Sequence, residues 1–310
     1  MAAEKSIVRS PDFGAIPGLR SRIDVAVMRG VFEQTAFNRA FEFEVARAFD
    51  QKLMKAPIYL SVGQEHIPAA IAAVHKSWLI FAQHRAHSYY LSFGGDEQAL
   101  VDELLHLPSG CAKGMGGSAS IHSQAIGMFG HSGLMGDQVP IAVGAALIAR
   151  RPTVTVIGDA SVEEDYVFGA MGFAVTKRAP VLFLCEDNDL SILTPVATRR
   201  SWNMADVAKG LGMPGVDIAD DPWLIAHHVG ELLPKLPAYL NIRTCRVLWH
   251  AGTGTDGPPE WDRYALFKSA LGQQIGAADV EGIEASAVRR AENLWDRQSP
   301  KPSSASLATI

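Results

Sequence analysis

The sequence predicts an α/β protein with a mostly parallel sheet that is flanked by helices on both faces. The clearest unit contains residues 153–157 and 181–185, two short runs of apolar and β-branched residues that are typical of strands. Between them, residues 166–177 have the pattern of a helix. A strand, a helix and a second strand in this order form a parallel pair through a crossover connection. Further alternation of strand and helix patterns extends the sheet through residues 215–249.

Patterns outside this unit predict an arm, further helices and further strands. Prolines and glycines interrupt any periodicity in residues 1–20, which we predict to form an irregular arm. Apolar residues recur at helical spacing from Ser21 to about Lys52 and predict one long helix or two shorter ones. Further elements are predicted at these positions: a short extended run at 58–60, helices from Gly63 and at 138–150, a strand at 215–218, a helix at 223–233, an apolar run at 239–249, and helices at about 261–272 and 279–297. One domain is expected at 21–297, followed by a Pro/Ser-rich mobile tail at 298–310.

Composition excludes several classes of function. The chain has 28 Lys and Arg against 33 Asp and Glu, a formal net charge of −5, so a broad basic face for nucleic acid is not expected. No apolar run approaches the roughly 20 residues of a membrane span, and the N-terminal region shows no signal-peptide core. The three cysteines are widely spaced and form no Cys-x-x-Cys pair, which indicates reduced thiols. We therefore expect a cytoplasmic protein that binds neither nucleic acid nor membrane.

Polar side chains follow both strands of the clearest unit. Gly158-Asp159-Ala160-Ser161 follows the first strand, and Glu186-Asp187-Asn188-Asp189 follows the second. Because the carboxyl ends of parallel strands share one edge of a sheet, Asp159 and Asn188 are expected to lie close together and to offer oxygen ligands to Mg²⁺. The helix after Ala160 would direct its N-terminus to the same place, as a diphosphate requires. Taken alone, the Gly-Asp pair fits a turn with a capping aspartate equally well.

Several further blocks occur in a fixed order around this pair. They are Gly63-Gln64-Glu65, His84-Arg85-Ala86-His87, Gly110-Cys111-Ala112-Lys113-Gly114-Met115-Gly116-Gly117-Ser118, Gly133-Leu134-Met135-Gly136-Asp137-Gln138-Val139-Pro140, and Thr244-Cys245-Arg246 with His250. With Asp159 and Asn188 included, the set resembles the α subunit of the thiamine-diphosphate-dependent 2-oxo-acid dehydrogenases. These are the decarboxylating components of the pyruvate, branched-chain and acetoin dehydrogenase complexes. The resemblance covers about residues 55–297.

The resemblance implies a thiamine-diphosphate-binding fold, with thiamine diphosphate and Mg²⁺ as cofactors. The implied reaction is decarboxylation of a 2-oxo acid with acyl transfer to lipoamide, which makes a lipoyl acyltransferase an implied partner. In this family a separately encoded β subunit supplies the glutamate that activates the pyrimidine ring. The chain is therefore expected to be inactive alone and to work in an α₂β₂ heterotetramer.

Roles for individual residues also follow from the resemblance. Asp159, the Asn188 side chain and the Leu190 carbonyl would coordinate Mg²⁺. Ala160 and Ser161 would donate backbone N–H groups to the diphosphate. The remaining implied contacts to the cofactor are Tyr59, His84, Arg85, Gly133, Met135, Gly158, Arg246 and His250.

Two histidines are catalytic candidates by the same resemblance. His250 would bind diphosphate or stabilise the alkoxide that develops on the substrate, and His131 is a weaker candidate. Without the resemblance, ordinary ion pairs would explain Arg85 and Arg246, and core packing would explain Met135.

The chain departs from the family's pattern in several places. Ala160 replaces a glycine, Asp187 replaces the first of two asparagines, and His84 replaces a tyrosine. Glu163-Glu164-Asp165 places three acids where the family has neutral residues, and we expect them to point outward, where they can face a partner chain. The segment after His250 lacks the family's Ser-x-Ser-Asp and Tyr-Arg elements, which argues against phosphorylation of that loop and leaves docking to a lipoyl domain in doubt.

Three functions other than the dehydrogenase have some support in the sequence. A carboligase or transketolase-like enzyme of specialised metabolism would use the same cofactor, and the altered loops favour it. A non-catalytic partner subunit is opposed by the retention of Asp159 and Asn188. A nicotinamide-dinucleotide oxidoreductase would rest on Gly114-x-Gly116-Gly117, but the sequence predicts no strand directly before these glycines and shows no ribose-binding acid at the expected distance.

Overall fold

A parallel sheet of six strands organises the chain in this computed structural model, which describes residues 10–248, 250–251 and 259–296. The strands of the described residues, in chain order and including two that lie outside this sheet, are β1 (Leu79–Phe81), β2 (Met128–Phe129), β3 (Thr153–Gly158), β4 (Val181–Asp187), β5 (Leu190–Ser191), β6 (Thr194–Pro195), β7 (Gly215–Ala219) and β8 (Ala238–Arg243). The sheet order is β2-β1-β3-β4-β8-β7, and every neighbouring pair is parallel. Strands β5 and β6 pair separately as a short antiparallel ribbon.

Helices cover both faces of this sheet. They are α1 (Val25–Asp50), α2 (His66–Val74), α3 (His87–Ser92), α4 (Glu97–Leu104), α5 (Gln138–Ala149), α6 (Asp165–Lys177), α7 (Val196–Arg199), α8 (Met204–Leu211), α9 (Pro222–Leu232), α10 (Arg263–Ile275) and α11 (Ala277–Asp296). Alternate side chains of β4 enter two different cores, because successive residues of a strand point to opposite faces. Leu182 and Leu184 pack with α1, α2, α9, α10 and α11, whereas Phe183 and Cys185 pack with α5, α6 and α8. The predicted α/β class is therefore confirmed.

The predicted strand-helix-strand unit is observed as β3, α6 and β4. The N-terminal periodicity corresponds to the single helix α1, which the Asp24 side chain caps by accepting a hydrogen bond from the Ala26 N–H at 2.8 Å. Strands β1 and β2 have three and two residues, too few to show a period in the sequence. None of the helices in the described part of the chain combines the length and the apolar composition that a membrane span needs.

Some predicted boundaries are wrong. Residues 58–60 belong to no strand, and the helix predicted from Gly63 begins at His66, since Gly63 has φ +99 and lies in a turn. The apolar run from Tyr239 is a strand only to Arg243, after which the chain leaves the sheet and Val247 donates its backbone N–H to the Val62 carbonyl. Residues 1–9, Trp249 and the predicted tail at 298–310 lie outside the described residues, and the predicted domain boundaries stay a prediction.

The glycine-rich segment after α4 wraps around the buried carboxylate of Glu103. One carboxylate oxygen accepts the backbone N–H groups of Ala112 and Gly114 at 2.7 and 2.8 Å, and the other accepts those of Gly116 and Gly117 at 2.7 and 3.0 Å. Gly114 has φ +73, and a Cβ there would lie 2.6 Å from the His106 carbonyl carbon. These backbone donors are satisfied within the chain, so the segment is a structural loop rather than a dinucleotide cradle.

Glu103→Gln is expected to lower the free energy of unfolding by about 2–4 kcal/mol. The amide would lose the negative charge and turn NH₂ donors toward backbone N–H groups that need an acceptor. Urea denaturation followed by circular dichroism measures the change. Glu281→Gln on the exposed face of α11 removes the same charge and serves as the matched control. Equal stability of the two variants would contradict the role given to Glu103.

Candidate functional site

Two buried carboxylates lie side by side at the carboxyl edge of the sheet. Gly158 and Glu186 are register partners in the β3–β4 pair, so Asp159 and Asp187 follow one another across adjacent strands. Both are at most 5% exposed. Burial, followed by the negative charge of Asp187, raises the pKa of Asp159 to about 7, and two nearby arginines act in the opposite direction. The two adjacent carboxylates of Asp159 and Asp187 therefore favour the binding of a cation.

Asn188 and Leu190 occupy the loop directly after β4. The Asn188 side-chain oxygen accepts the Leu190 backbone N–H at 3.1 Å, and Asp189 between them has φ +68. This turn starts the β5–β6 ribbon and keeps the amide next to the end of β4. Asn188 and Leu190 thus lie at the same edge of the sheet as Asp159, as the sequence predicts.

Ala160 and Ser161 lead from β3 into a 3-10 turn, Ser161–Glu163, and α6 begins only at Asp165. The predicted helix N-terminus is therefore present, but with one 3-10 turn in front of it. Gly158 is half-buried and Ser161 is buried, so the backbone at the end of β3 is partly covered. Backbone N–H groups at such a terminus are suited to bind an anion.

Arg199 and Arg200 contact the end of β3, and the sequence interpretation missed both. Arg199 at the end of α7 donates through Nη2 to Oδ2 of Asp159. Arg200 donates to the Asp159 carbonyl at 2.5 Å and to the Glu163 carboxylate at 2.8 Å. The signal that could have indicated them is an arginine pair at 199–200, which follows the otherwise unbalanced group of acids at 163–165.

The expectation that Glu163-Glu164-Asp165 points outward is wrong for the first of the three acids. Glu163 turns inward to Arg200 and is 25% exposed, whereas Glu164 and Asp165 are exposed. The ion pair with Arg200 offsets the repulsion that a third carboxylate near Asp159 would otherwise cause. Partner contacts through Glu164 and Asp165 stay a prediction.

Three predicted histidines converge around Tyr59. The His84 ring centroid lies 4.9 Å from that of Tyr59, 5.6 Å from that of His250 and 6.1 Å from that of His131. The centroids of Tyr59 and His250 are 5.9 Å apart. These four rings, which we call the histidine cluster, were all candidates from the sequence, and the structure brings them together.

Arg85 and Arg246 hold His250 in one tautomer. Arg85 donates through Nη2 to His250 Nδ1 at 2.9 Å, and Arg246 donates through Nη1 to the same nitrogen at 3.0 Å. An Nδ1 that accepts from guanidinium groups carries no proton, so the proton of the neutral ring is on Nε2. Burial and the charges of Arg85 and then Arg246 lower the pKa of His250 to about 4. His250 is therefore a neutral hydrogen-bond donor at neutral pH.

His84 and His131 are neutral for a similar reason. Burial first, and then the charge of Arg85, holds the pKa of His84 well below its ordinary value, and burial lowers that of His131. His131 Nδ1 accepts the Gly133 backbone N–H at 2.8 Å, which leaves Nε2–H as its donor. Both ring nitrogens of His84 and Nε2 of His131 are buried without a hydrogen-bond partner among the described residues.

Gly133 and Met135 lie in the loop between His131 and α5. Gly133 has φ +104 and is exposed, and the Met135 carbonyl accepts the Tyr166 hydroxyl at 2.5 Å. Met135 is half-buried, so its side chain is not a core residue. Its predicted contact with the cofactor stays a prediction.

The histidine cluster and the acidic edge of the sheet are joined through one strand end. Thr244, directly after β8, donates its backbone N–H to the Asp187 carbonyl at 2.9 Å. Arg246 donates through Nη2 to the Ile192 carbonyl in the β5–β6 ribbon at 3.0 Å. Both groups of residues therefore belong to one site at the carboxyl edge, where open α/β sheets bind ligands.

The residues fit a magnesium-bound diphosphate. A buried carboxylate and an amide oxygen offer hard ligands, and Arg199 and Arg200 each keep at least one buried N–H without a partner among the described residues. In the described part of the chain, no group of three or more His, Cys, Asp or Glu side chains is arranged to hold a metal. Mg²⁺ does not require one, because it usually keeps waters and phosphate oxygens in its coordination shell.

The fold and this site define an α/β protein whose ligand site lies at the carboxyl edge of a parallel sheet. A sequence profile of the dehydrogenase E1 component matches residues 33–229, and the chain belongs to this family. It is 29% identical over 190 residues to the somatic, mitochondrial pyruvate dehydrogenase E1 component subunit alpha of Rattus norvegicus, covering 58% of this chain and 48% of that protein. It is 27% identical over 237 residues to the pyruvate dehydrogenase E1 component subunit alpha of Rickettsia conorii, covering 71% of this chain and 72% of that protein.

The chain spans about half the length of most of the curated relatives it matches. A transketolase from Leishmania mexicana superposes with a TM-score of 0.52 and 13% identity, over 87% of this chain and 47% of that one. At this identity, the likeness shows a shared fold alone.

His250 is expected to stay neutral from pH 8 down to about 5, since its pKa is near 4. Nitrogen-15 NMR with labelled histidine should show the Nε2–H tautomer throughout this range. Arg246→Gln should raise the pKa of His250, because it removes one of the two guanidinium charges. Arg289→Gln, on the exposed face of α11, is the charge-matched control. A wild-type midpoint near the ordinary histidine value would contradict the assignment.

Proposed function

We propose that this chain is the diphosphate-binding α subunit of a two-chain enzyme that decarboxylates a 2-oxo acid and transfers the acyl group to lipoamide. The observation that carries the proposal is the buried Asp159, directly after β3, at the same edge of the sheet as Asn188, directly after β4, inside a segment that matches the dehydrogenase E1 component. When bound, thiamine diphosphate supplies an electron sink for loss of carbon dioxide.

The acidic edge would hold the cofactor through its metal and diphosphate. Asp159, the Asn188 side chain and the Leu190 carbonyl would coordinate Mg²⁺, as the sequence predicts. Ala160 and Ser161 would donate backbone N–H groups to the diphosphate at the start of the 3-10 turn. The half-buried position of Gly158 supports close approach of a ligand to this backbone.

The histidine cluster would face the reacting end of the substrate. His250 offers Nε2–H as a neutral donor to the oxygen that gains negative charge, and Arg85 and Arg246 fix the orientation of its ring. Because the His250 ring is neutral and is held by two arginines, it acts by donating a hydrogen bond through Nε2–H and does not give up that proton. His131 and His84 supply further buried nitrogens around Tyr59 that can orient the substrate or the cofactor.

The partner is proposed to be a separately encoded β subunit that supplies the pyrimidine-activating glutamate. A lipoyl acyltransferase would receive the acyl group. Transfer to an aldehyde acceptor, as in a carboligase, is the competing outcome of the assay below. A cytoplasmic location stays a prediction.

Asp159→Asn is expected to lower kcat/KM for 2-oxo acid decarboxylation by more than about 100-fold, since changes even in the outer shell of a metal site cost roughly 10–100-fold. The assay measures carbon dioxide release by the chain assembled with its β subunit. Asp206→Asn, on the exposed surface of α8, removes the same charge and should leave the rate unchanged. Full activity of the Asp159 variant would exclude the proposed metal site.

The chain alone, supplied with thiamine diphosphate and Mg²⁺, is expected to show no turnover, and addition of the β subunit should restore it. Product analysis with oxidised lipoamide, whose disulfide is reduced as the acyl thioester forms, and with aldehydes distinguishes acyl transfer from carboligation. Turnover by the single chain at the rate of the assembly would refute the two-chain proposal. Carboligated product without acyl lipoamide would replace the dehydrogenase by the carboligase.

A further inference from the structure

Arg199 occupies the same carboxylate that the proposed function assigns to the metal. Its Nη2 donates to Asp159 Oδ2, and the two side chains are 14% and 3% exposed. Asp159 lies next to Asp187, and desolvation of two adjacent carboxylates is costly without a counter-cation. In this structure Arg199 supplies part of that positive charge.

The contact engages only part of the guanidinium. Nε and Nη1 of Arg199 are buried and have no hydrogen-bond partner among the described residues. A guanidinium has five N–H donors and binds carboxylates best through two parallel hydrogen bonds. The single contact with Asp159 therefore leaves Arg199 incompletely satisfied, which distinguishes it from a fully bonded structural ion pair.

Arg200 differs from Arg199 in how firmly it is held. It donates to the Asp159 carbonyl and to Glu163, and its side chain is 5% exposed. A metal at the Asp159 carboxylate would not compete for either of these acceptors. Arg200 can stay in place while the carboxylate changes its partner.

Glu163 provides a second acceptor for Arg199. Its Oε1 lies 3.7 Å from Arg199 Nη2, beyond hydrogen-bond distance but within reach of a small side-chain shift. Glu163 is 25% exposed and ends the 3-10 turn before α6, so its side chain is not enclosed by the core. A short movement of the guanidinium would thus release Asp159 without leaving Arg199 unpaired.

We infer that Arg199 is a displaceable counter-cation: it holds Asp159 when no metal is bound, and it must move to Glu163 before a divalent cation can bind the carboxylate. This inference rests on the proposed function, because it takes Asp159 as the metal ligand. The consequence is a lower affinity for the metal, because part of the metal's binding free energy is used to break the contact between Arg199 and Asp159.

The test measures Mn²⁺ binding to the full chain by the electron paramagnetic resonance signal of the free ion, first with Mn²⁺ alone and then with thiamine diphosphate. Arg199→Gln should bind Mn²⁺ about tenfold more tightly than the wild type, which corresponds to about 1.4 kcal/mol. Arg199→Lys, which keeps the charge, should stay closer to the wild type. Arg289→Gln is the matched control for loss of one positive charge at an exposed position.

Glu163→Gln should weaken Mn²⁺ binding several-fold, because Arg199 then loses its second acceptor. A double-mutant cycle separates this from direct attraction between Glu163 and the metal. If Glu163 acts through Arg199, the Glu163 change has no effect once Arg199 is glutamine. An equal effect of Glu163→Gln in both backgrounds would overturn the inference.

Two further outcomes are distinguishable. If Asp159→Asn abolishes Mn²⁺ binding while Arg199→Gln leaves the affinity unchanged, the displacement is refuted and the proposed metal site stands. If Asp159→Asn binds Mn²⁺ as the wild type does, the ligand assignment fails and the inference fails with it. Opposite effects of Arg199→Gln and Glu163→Gln cannot arise from a general loss of folding, which circular dichroism of each variant checks independently.

Discussion

The structure around the candidate site depends on the placement of two carboxylates at the ends of adjacent parallel strands. Register between β3 and β4 brings Asp159 beside Asp187, and both are buried. Burial of like charges is unfavourable by several kcal/mol unless cations or hydrogen bonds compensate it. Arg199, Arg200 and Asn241 provide this compensation, the last by donating to Asp187 at 3.1 Å. The positions of the elements that carry Arg199, Arg200 and Asn241 are therefore constrained by the negative charge at this edge of the sheet.

The half of the site around the histidine cluster carries positive charge, whereas the half around Asp159 and Asp187 carries negative charge. Arg85 and Arg246 are buried next to the histidine cluster, and burial followed by their charges lowers the pKa of His84 and of His250. The cationic half and the anionic half meet where Arg246 contacts the β5–β6 ribbon. A ligand that carries both a divalent cation and a diphosphate would complement both halves, whereas an anion alone would be repelled by Asp159 and Asp187.

Local sequence patterns predicted the elements that are long or strongly periodic. The crossover from β3 through α6 to β4 was predictable because each strand is an apolar run and the helix has its own period. The short strands β1 and β2 were missed, since two or three residues acquire their conformation from the neighbours with which they pair. The sequence identified residues 110–118 as a block of the family, but their wrapping around Glu103 depends on α4, whose pattern was not identified.

The residues of the candidate site also divide into those that local sequence patterns predict and those that only contacts between distant elements bring together. The sequence by itself determined which polar residues end β3 and β4, and the order of the blocks that identify the family, because strand ends and short motifs are encoded by neighbouring residues. Only the tertiary structure decided that Arg199, 40 residues from Asp159, contacts its carboxylate, and that Glu163 turns inward. It also decided that Arg85, 165 residues from His250, donates a hydrogen bond to Nδ1 and so places the ring proton on Nε2. Such contacts depend on how separate elements are placed relative to one another, and the periodicity of any one segment carries no information about that placement.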